Sequence, residues 1–305
     1  MILDRIEQYV RGLYTPGERE LRLANAMTAE RGDRQSKVFR DLFQDREGEE
    51  QVDVFTLEPD EGEEPKPRSF LRGSSPWYCA RRMFYALTRS PQEPPAPRTY
   101  MAWYLGRCVE SMVQRLIVLT NPTVTWPRLE KDARTARERL VEHVVTRNVG
   151  GGIVHGHVDL VLDYEGHETP VEIKSTSEFG FKMLEKRRTV EDTFGHLSQL
   201  NFYMDAMGSD RGFYVAVNKS TGHALEMEVR RDHALIIEND ASGERAINAA
   251  ASGVAPAHPE WAALKRVGNV EEVTSIRCGY CPYTERCLGV RRETRDGKPV
   301  WQRSA

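Results

Sequence analysis

Gly156-His157-Val158-Asp159-Leu160-Val161-Leu162-Asp163-Tyr164-Glu165-Gly166-His167-Glu168-Thr169-Pro170-Val171-Glu172-Ile173-Lys174-Ser175 sets two runs of β-branched and apolar residues around Glu165-Gly166. That pattern predicts a β-hairpin with a two-residue turn. Such a turn pairs Tyr164 with His167. The same register puts Asp159 opposite Glu172 and His157 opposite Lys174 on one face of the sheet. Two carboxylates and an ammonium group are costly to bury without partners. A divalent cation accounts for them, because Mg²⁺ and Mn²⁺ favour carboxylate, carbonyl and water oxygens. The plain alternative is the solvated face of an ordinary hairpin.

Asp159, followed at a distance by Glu172-Ile173-Lys174, resembles the signature of the PD-(D/E)XK nucleases. Asp159 stands for the motif's aspartate and Glu172-Ile173-Lys174 for its E-x-K. Val158 occupies the proline position, which varies among these proteins. The flanking sequence adds the rest.

The chain has 305 residues, 29% of them charged and 39% hydrophobic, which suits a globular protein of one elaborated domain or two. It contains no apolar run long enough for a transmembrane helix. Met1-Ile2-Leu3-Asp4-Arg5-Ile6-Glu7 lacks the design of a secretory signal, so a cytoplasmic protein is expected. A net charge of −3 means that nucleic-acid binding must rest on local basic patches.

Residues 1–70 are expected to form a helical extension ending in an acidic, proline-rich loop over 58–68. Ser74 or Ser75 can cap a helix that takes Pro76 in its first turn and carries Cys79. Pro91 to Pro97 reads as a linker, followed by a long helix from Tyr100 to Thr120. Strand signals near Leu140–Arg147, the Gly150-Gly151-Gly152 turn and the hairpin come next. One long helix is expected over Phe181–Met207, then strands at Gly212–Val217 and Ala224–Val229 and a helix near Asp232–Ala251. This order predicts an α/β core in which helices flank a mixed sheet.

Two helical pairs extend the resemblance. Gln199 and Tyr203, four residues apart on one face, resemble the Q-x-x-x-Y motif of RecB-like nucleases. The resemblance implies that they approach DNA and the catalytic lysine. Gly106 and Glu110 fall where those proteins show G-x-x-x-H, with glutamate replacing the metal-binding histidine. A carboxylate remains a competent ligand for a hard cation.

Cys278, Cys281 and Cys287 form a C-x2-C-x5-C trio that needs a fourth ligand from elsewhere. A structural zinc and an iron–sulfur cluster both suit such thiolates. One early cysteine with a late trio resembles the iron–sulfur subgroup of RecB-like nucleases. That subgroup includes AddB subunits, eukaryotic nuclease-helicases and CRISPR-associated RecB-like proteins. The resemblance implies a 4Fe–4S cluster on Cys79, Cys278, Cys281 and Cys287, with Cys108 left over as an inert thiol. It covers roughly residues 74–288.

What the resemblance implies is a restriction-endonuclease-like core over 71–290, with an iron–sulfur-bound C-terminal segment and a tail over 291–305. The tail could equally be a disordered end. The implied activity is Mg²⁺- or Mn²⁺-dependent hydrolysis of DNA, by an exonuclease on single strands or frayed ends. Asp159, Glu172, the Ile173 carbonyl and Glu110 would hold metal, Lys174 would orient the water or meet the oxyanion, Gln199 would position Lys174 or substrate, and Tyr203 would touch phosphate or base. Lys182, Lys186, Arg187 and Arg188 are candidate DNA contacts, with Arg72, Arg81 and Arg82 as further ones. Recombination or CRISPR-adaptation proteins are possible partners. The competing reading is a DNA-binding scaffold subunit with a vestigial site.

Overall fold

The computed structural model describes residues 2–5, 71–93, 97–131, 138–141, 143–188, 190, 192–260, 262, 264–267, 270–295 and 298–304. The acidic loop expected over 58–68, and most of the expected helical extension, lie outside these residues. The chain forms two units, residues 1–66 with 115–122, and 67–114 with 123–305. In the first, residues 2–5 are helical, Ile2 is buried and Arg5 Nη1 donates to Asn121 Oδ1 at 2.7 Å.

The second unit begins with α1 (Ala80–Leu87), and the long α2 (Pro97–Thr120) follows. Strands β1 (Val124–Trp126), β2 (Arg128–Lys131), β3 (Glu138–Val141), β4 (His143–Val149), β5 (Gly152–Val158), β6 (Leu160–Tyr164) and β7 (His167–Thr176) follow. Then come α3 (Glu178–Arg187), α4 (His196–Met207), β8 (Arg211–Asn218), β9 (Ala224–Arg230) and α5 (His233–Ser252). The C-terminal region holds β10 (Leu264–Val267), β11 (Val270–Val273), α6 (Ile276–Gly279), α7 (Thr284–Leu288), β12 (Arg291–Arg295) and β13 (Lys298–Ser304).

The central sheet runs β1-β6-β7-β8-β9, with β7 and β8 parallel and the other pairs antiparallel. This is the mixed sheet flanked by helices that the sequence predicts. The parallel pair requires a crossover, and α3 and α4 supply it. Residues 212–218 of β8 are buried, because that strand has neighbours on both edges and helices packed against it. Leu200 and Met204 of α4 pack with Phe181, Tyr214, Ala216 and Met227 in one cluster. A second cluster joins Trp77, Met83, Val145, Val154, Phe202 and Tyr203. The trailing strands pair in the order β10-β11-β13-β12. Residues 291–295 and 298–304 therefore belong to a sheet, not to a disordered end.

The hairpin forms as predicted from Tyr164↔His167 back to Leu160↔Val171. There the ladder stops. Asp159 sits in a bend, and β5 leaves to pair with β4, where His157 faces Val144. His157 therefore does not oppose Lys174. The expected single helix over Phe181–Met207 is also two helices. Arg188, in the left-handed region at φ 54°, ends α3, and Gly195, at φ 85°, opens α4. Asp192 caps the second helix by accepting from the Ser198 backbone N–H at 3.0 Å. The strand expected near Leu140–Arg147 divides likewise into β3 and β4.

The serine cap expected for the first helix moves as well. Cys79 is the N-cap of α1, its Sγ accepting from the Arg82 N–H at 3.4 Å. Residues 74–78 turn instead of coiling, because Trp77 is drawn into the core and donates its indole N–H to Gly73 O at 2.8 Å.

Candidate active site

Asp159 and the E-x-K residues converge although the ladder between them is broken. The bend turns the Asp159 carboxylate back onto β7, where Oδ2 accepts from the Ile173 N–H at 2.9 Å. Lys174 Nζ lies 4.0 Å from the same oxygen and forms an ion pair with Glu172 Oε1. Glu172 is completely buried, and its Oε2 meets no hydrogen-bond donor among the described residues. Burial pushes Glu172 up to about 8, even with Lys174 beside it. Asp159 is raised from its ordinary value for the same reason. Lys174 is held above the usual lysine range by Glu172, Asp159 and Glu110, which outweigh its desolvation.

Glu110 reaches this group from α2. Its Oε1 accepts from the Ser175 N–H at 3.1 Å and lies 3.4 Å from Ser175 Oγ. The approach depends on Gly106, one turn earlier, where a Cβ would stand 2.8 Å from Ser175 Oγ. On the same helix Gln114 Nε2 donates to Asp159 O at 2.6 Å, which fixes the bend. An all-oxygen donor set of Asp159, Glu172, Glu110 and the Ile173 carbonyl suits Mg²⁺ or Mn²⁺. The orphaned, buried Oε2 of Glu172 is the strongest sign that a ligand belongs here. Among the described residues no three His, Cys, Asp or Glu side chains already stand at metal-holding spacing. In this arrangement the Lys174 ammonium lies against the Glu172 carboxyl.

Gln199 and Tyr203 do share a face of α4, and Gln199 Nε2 donates to the Tyr203 hydroxyl at 2.8 Å. That hydroxyl donates to His157 O at 2.6 Å, and the ring is fully buried. Tyr203 is thus placed to position β5 just before Asp159. Its burial does not offer the expected contact with phosphate or base.

Two further groups escaped the sequence reading. His196, on α4, hydrogen-bonds through Nδ1 with the Tyr214 hydroxyl at 3.1 Å. Tyr214 lies on β8 directly beside Glu172 in the parallel register. Burial and the Lys174 charge push His196 down to about 3, so its imidazole is neutral at working pH. The signal was available: His196, Gln199 and Tyr203 follow i, i+3, i+7 spacing along one helix face.

Lys182, Lys186, Arg187 and Arg188 are all exposed, with Lys182 paired to Glu178 at 2.6 Å. Arg81 and Arg82, named above as further DNA candidates, instead face the cysteines. Arg81 Nη1 donates to Pro256 O, and Arg82 Nη1 to the Tyr78 hydroxyl at 2.9 Å.

Cys79, Cys278, Cys281 and Cys287 line one cavity between α1 and the C-terminal segment, whereas Cys108 is exposed on α2. Burial raises all four lining thiols; neighbouring cysteines raise Cys278, Cys281 and Cys287 further, while the Arg82 and Arg81 amides and guanidiniums pull Cys79 the other way, and Cys278 and Cys281 are pushed up to about 11. The same segment braces α4. Arg277 donates from Nε to Thr193 O and from Nη2 to Asp192 O, both at 3.1 Å, and its guanidinium lies 4.7 Å from the Tyr78 ring centre.

Comparison with known proteins gives a family match to the PD-(D/E)XK nuclease superfamily over residues 80–288. No curated protein matches the chain. Among solved structures the crystal structure of SSO0001 is similar at 17% identity and a TM-score of 0.42, covering 74% of this chain and 89% of that one. The alkaline exonuclease LHK-Exo from Laribacter hongkongensis is similar at 13% identity and a TM-score of 0.37, covering 61% and 90%. Its complex with dAMP gives 16% identity and a TM-score of 0.35, covering 57% and 88%. The family match spans most of the chain, from α1 through the last cysteine, and takes in every residue of the carboxylate–lysine site; the protein belongs to the PD-(D/E)XK nuclease superfamily.

Proposed function

We propose that this protein is a metal-dependent deoxyribonuclease, an exonuclease acting on single-stranded or frayed DNA ends in repair, recombination or CRISPR adaptation. The observation that carries the reading is Glu172: a wholly buried carboxylate, one oxygen orphaned, between Asp159 and Lys174. A cation held by Asp159, Glu172, the Ile173 carbonyl and Glu110 supplies, when bound, an acidified water and neutralisation of charge at phosphorus. Lys174 keeps its proton at working pH and can orient the attacking water or meet the developing oxyanion. Gln199 holds the Tyr203 hydroxyl, which in turn fixes the strand leading into Asp159. His196, neutral and tied to Tyr214, packs beside the lysine without adding charge. Lys182, Lys186, Arg187 and Arg188 would carry DNA phosphates toward the site, so binding should weaken as salt rises.

The four lining thiols support a 4Fe–4S cluster that clamps α1 to the C-terminal segment. No helix among the described residues is long and apolar enough to cross a membrane. A reducing cytoplasm fits thiols used as ligands instead of disulfides. The test is cleavage of end-labelled single- and double-stranded DNA with Mg²⁺ or Mn²⁺. Asp159→Ala and Lys174→Ala should each abolish cleavage and largely spare binding. Unchanged cleavage in either variant ends the assignment.

A further inference from the structure

We infer that the exposed stripe of α2 formed by Tyr100, Trp103 and Arg107 is a stacking platform for the bases of single-stranded nucleic acid entering the Glu110 site. The inference rests on the nuclease reading and deepens it, by naming the feature that selects unpaired strands. At 100° per residue, Trp103 lies seven positions before Glu110 and almost in line with it along the helix. Arg107 and Tyr100 fall on the same side of that line. Glu110 itself is anchored to Ser175 in the catalytic strand. The stripe is therefore continuous with the candidate metal ligands, and Trp103 stands about 10 Å along the axis from Glu110, within a few nucleotides of the scissile position.

Trp103 is 57% exposed and Tyr100 41%, with ring centres 6.0 Å apart and planes at 75°. Such rings are large to leave in water, yet on this face they have a chemical use. A base offers a π-face to an aromatic ring whatever its identity, and a neighbouring guanidinium meets the phosphate. A duplex hides those faces inside its stack, so the platform favours single strands and frayed ends. Charge agrees, since exposed Arg107 sits between the rings and the carboxylates.

The experiment measures binding of the full chain, in EDTA, to a fluorescein-labelled oligothymidylate of about 15 nucleotides and to a blunt duplex of equal length. Trp103→Ala should weaken single-strand binding about five- to hundred-fold, the range of one base–aromatic stack. Duplex binding should change little, and Trp103→Phe should keep most of the affinity. Trp103→Ala should leave the salt slope unchanged, while Arg107→Ala should lower it by about 0.7. Equal single-strand affinity in Trp103→Ala, or an equal loss on both probes, overturns the platform. So does a change in oligomeric state on gel filtration, which would make a second copy the occupant. If wild-type protein cleaves but Trp103→Ala binds normally, the platform alone fails. If wild-type protein binds single strands through Trp103 yet never cleaves with Mg²⁺ or Mn²⁺, the nuclease reading fails and the platform stands.

Discussion

Replacing Arg277 by alanine removes a brace that begins in the thiol-bearing segment and ends at the start of α4. Two hydrogen bonds from a charged donor are lost, to Thr193 O and Asp192 O, together with a cation–π contact to Tyr78. Charge-assisted bonds of this kind are worth about 1.5 kcal/mol or more each, and the ring contact about 0.5–1 kcal/mol. Arg277 is only half-buried, so water will take over part of this. A net loss of about 2 kcal/mol corresponds to a roughly thirtyfold rise in the population of a loosened 192–195 turn. Asp192 caps Ser198, and His196 and Gln199 follow at once, so the loosening reaches the lysine site directly. The assay is hydrogen exchange at the Ser198 and Gln199 amides alongside single-turnover cleavage. Protection there should fall about thirtyfold, with a smaller drop in kcat and little change in DNA affinity. Arg277→Lys, which keeps the charge without the fork, should rescue only partly. Unchanged protection at both amides in Arg277→Ala would refute the brace.

The pH dependence has a definite sign. Because burial raises Glu172 to about 8, the folded metal-free protein holds a proton that the unfolded chain releases above its ordinary value. Stability from this group is greatest at low pH and declines as pH climbs toward 8. Lys174, raised in its turn, contributes stability that is lost only at far higher pH. Mg²⁺ must displace the Glu172 proton, so the Tm gained from Mg²⁺ over EDTA should be larger at pH 8.5 than at pH 6; an equal gain at both contradicts the assignment. Cys281→Ala should lose the brown colour and the absorbance near 400 nm, with poor solubility, and a folded, coloured mutant removes Cys281 from the ligand set. Gly156→Ala places a Cβ 2.6 Å from Tyr203 Cε1 and 2.9 Å from Phe202 Cε1, in a rigid core. It should cost about 1–3 kcal/mol, read as a fall in Tm.

Much of this architecture was legible because period-two alternation and a Glu-Gly turn fix a hairpin locally. The Tyr164↔His167 pairing needed nothing beyond neighbouring residues. What failed were continuations. Asp159 reaches the site through a bend, where Gln114 holds its carbonyl and Ile173 its carboxylate, and neither contact is local in sequence. The break between α3 and α4 lies in a mostly polar stretch, 188–195, with no proline to announce it, although Gly195 marked the restart. Tyr203 looked like a substrate contact by motif, but its burial depends on Gly156 making room on another strand. His196 and Tyr214 were invisible as a pair, since only the β7–β8 crossover brings that tyrosine beside Glu172.

The cavity shared by Cys79 and the late cysteines has a consequence for biosynthesis. Its first wall, α1, leaves the ribosome long before its second, and Glu93 must wait equally long to receive the Thr284 and Glu285 amides. Through most of translation Phe84 and Tyr85 face no Tyr283. A nascent chain that stalls short of Thr284 keeps that apolar seam open to chaperones and proteases. The seam thus closes only once the chain has been made through Tyr283, Thr284 and Glu285.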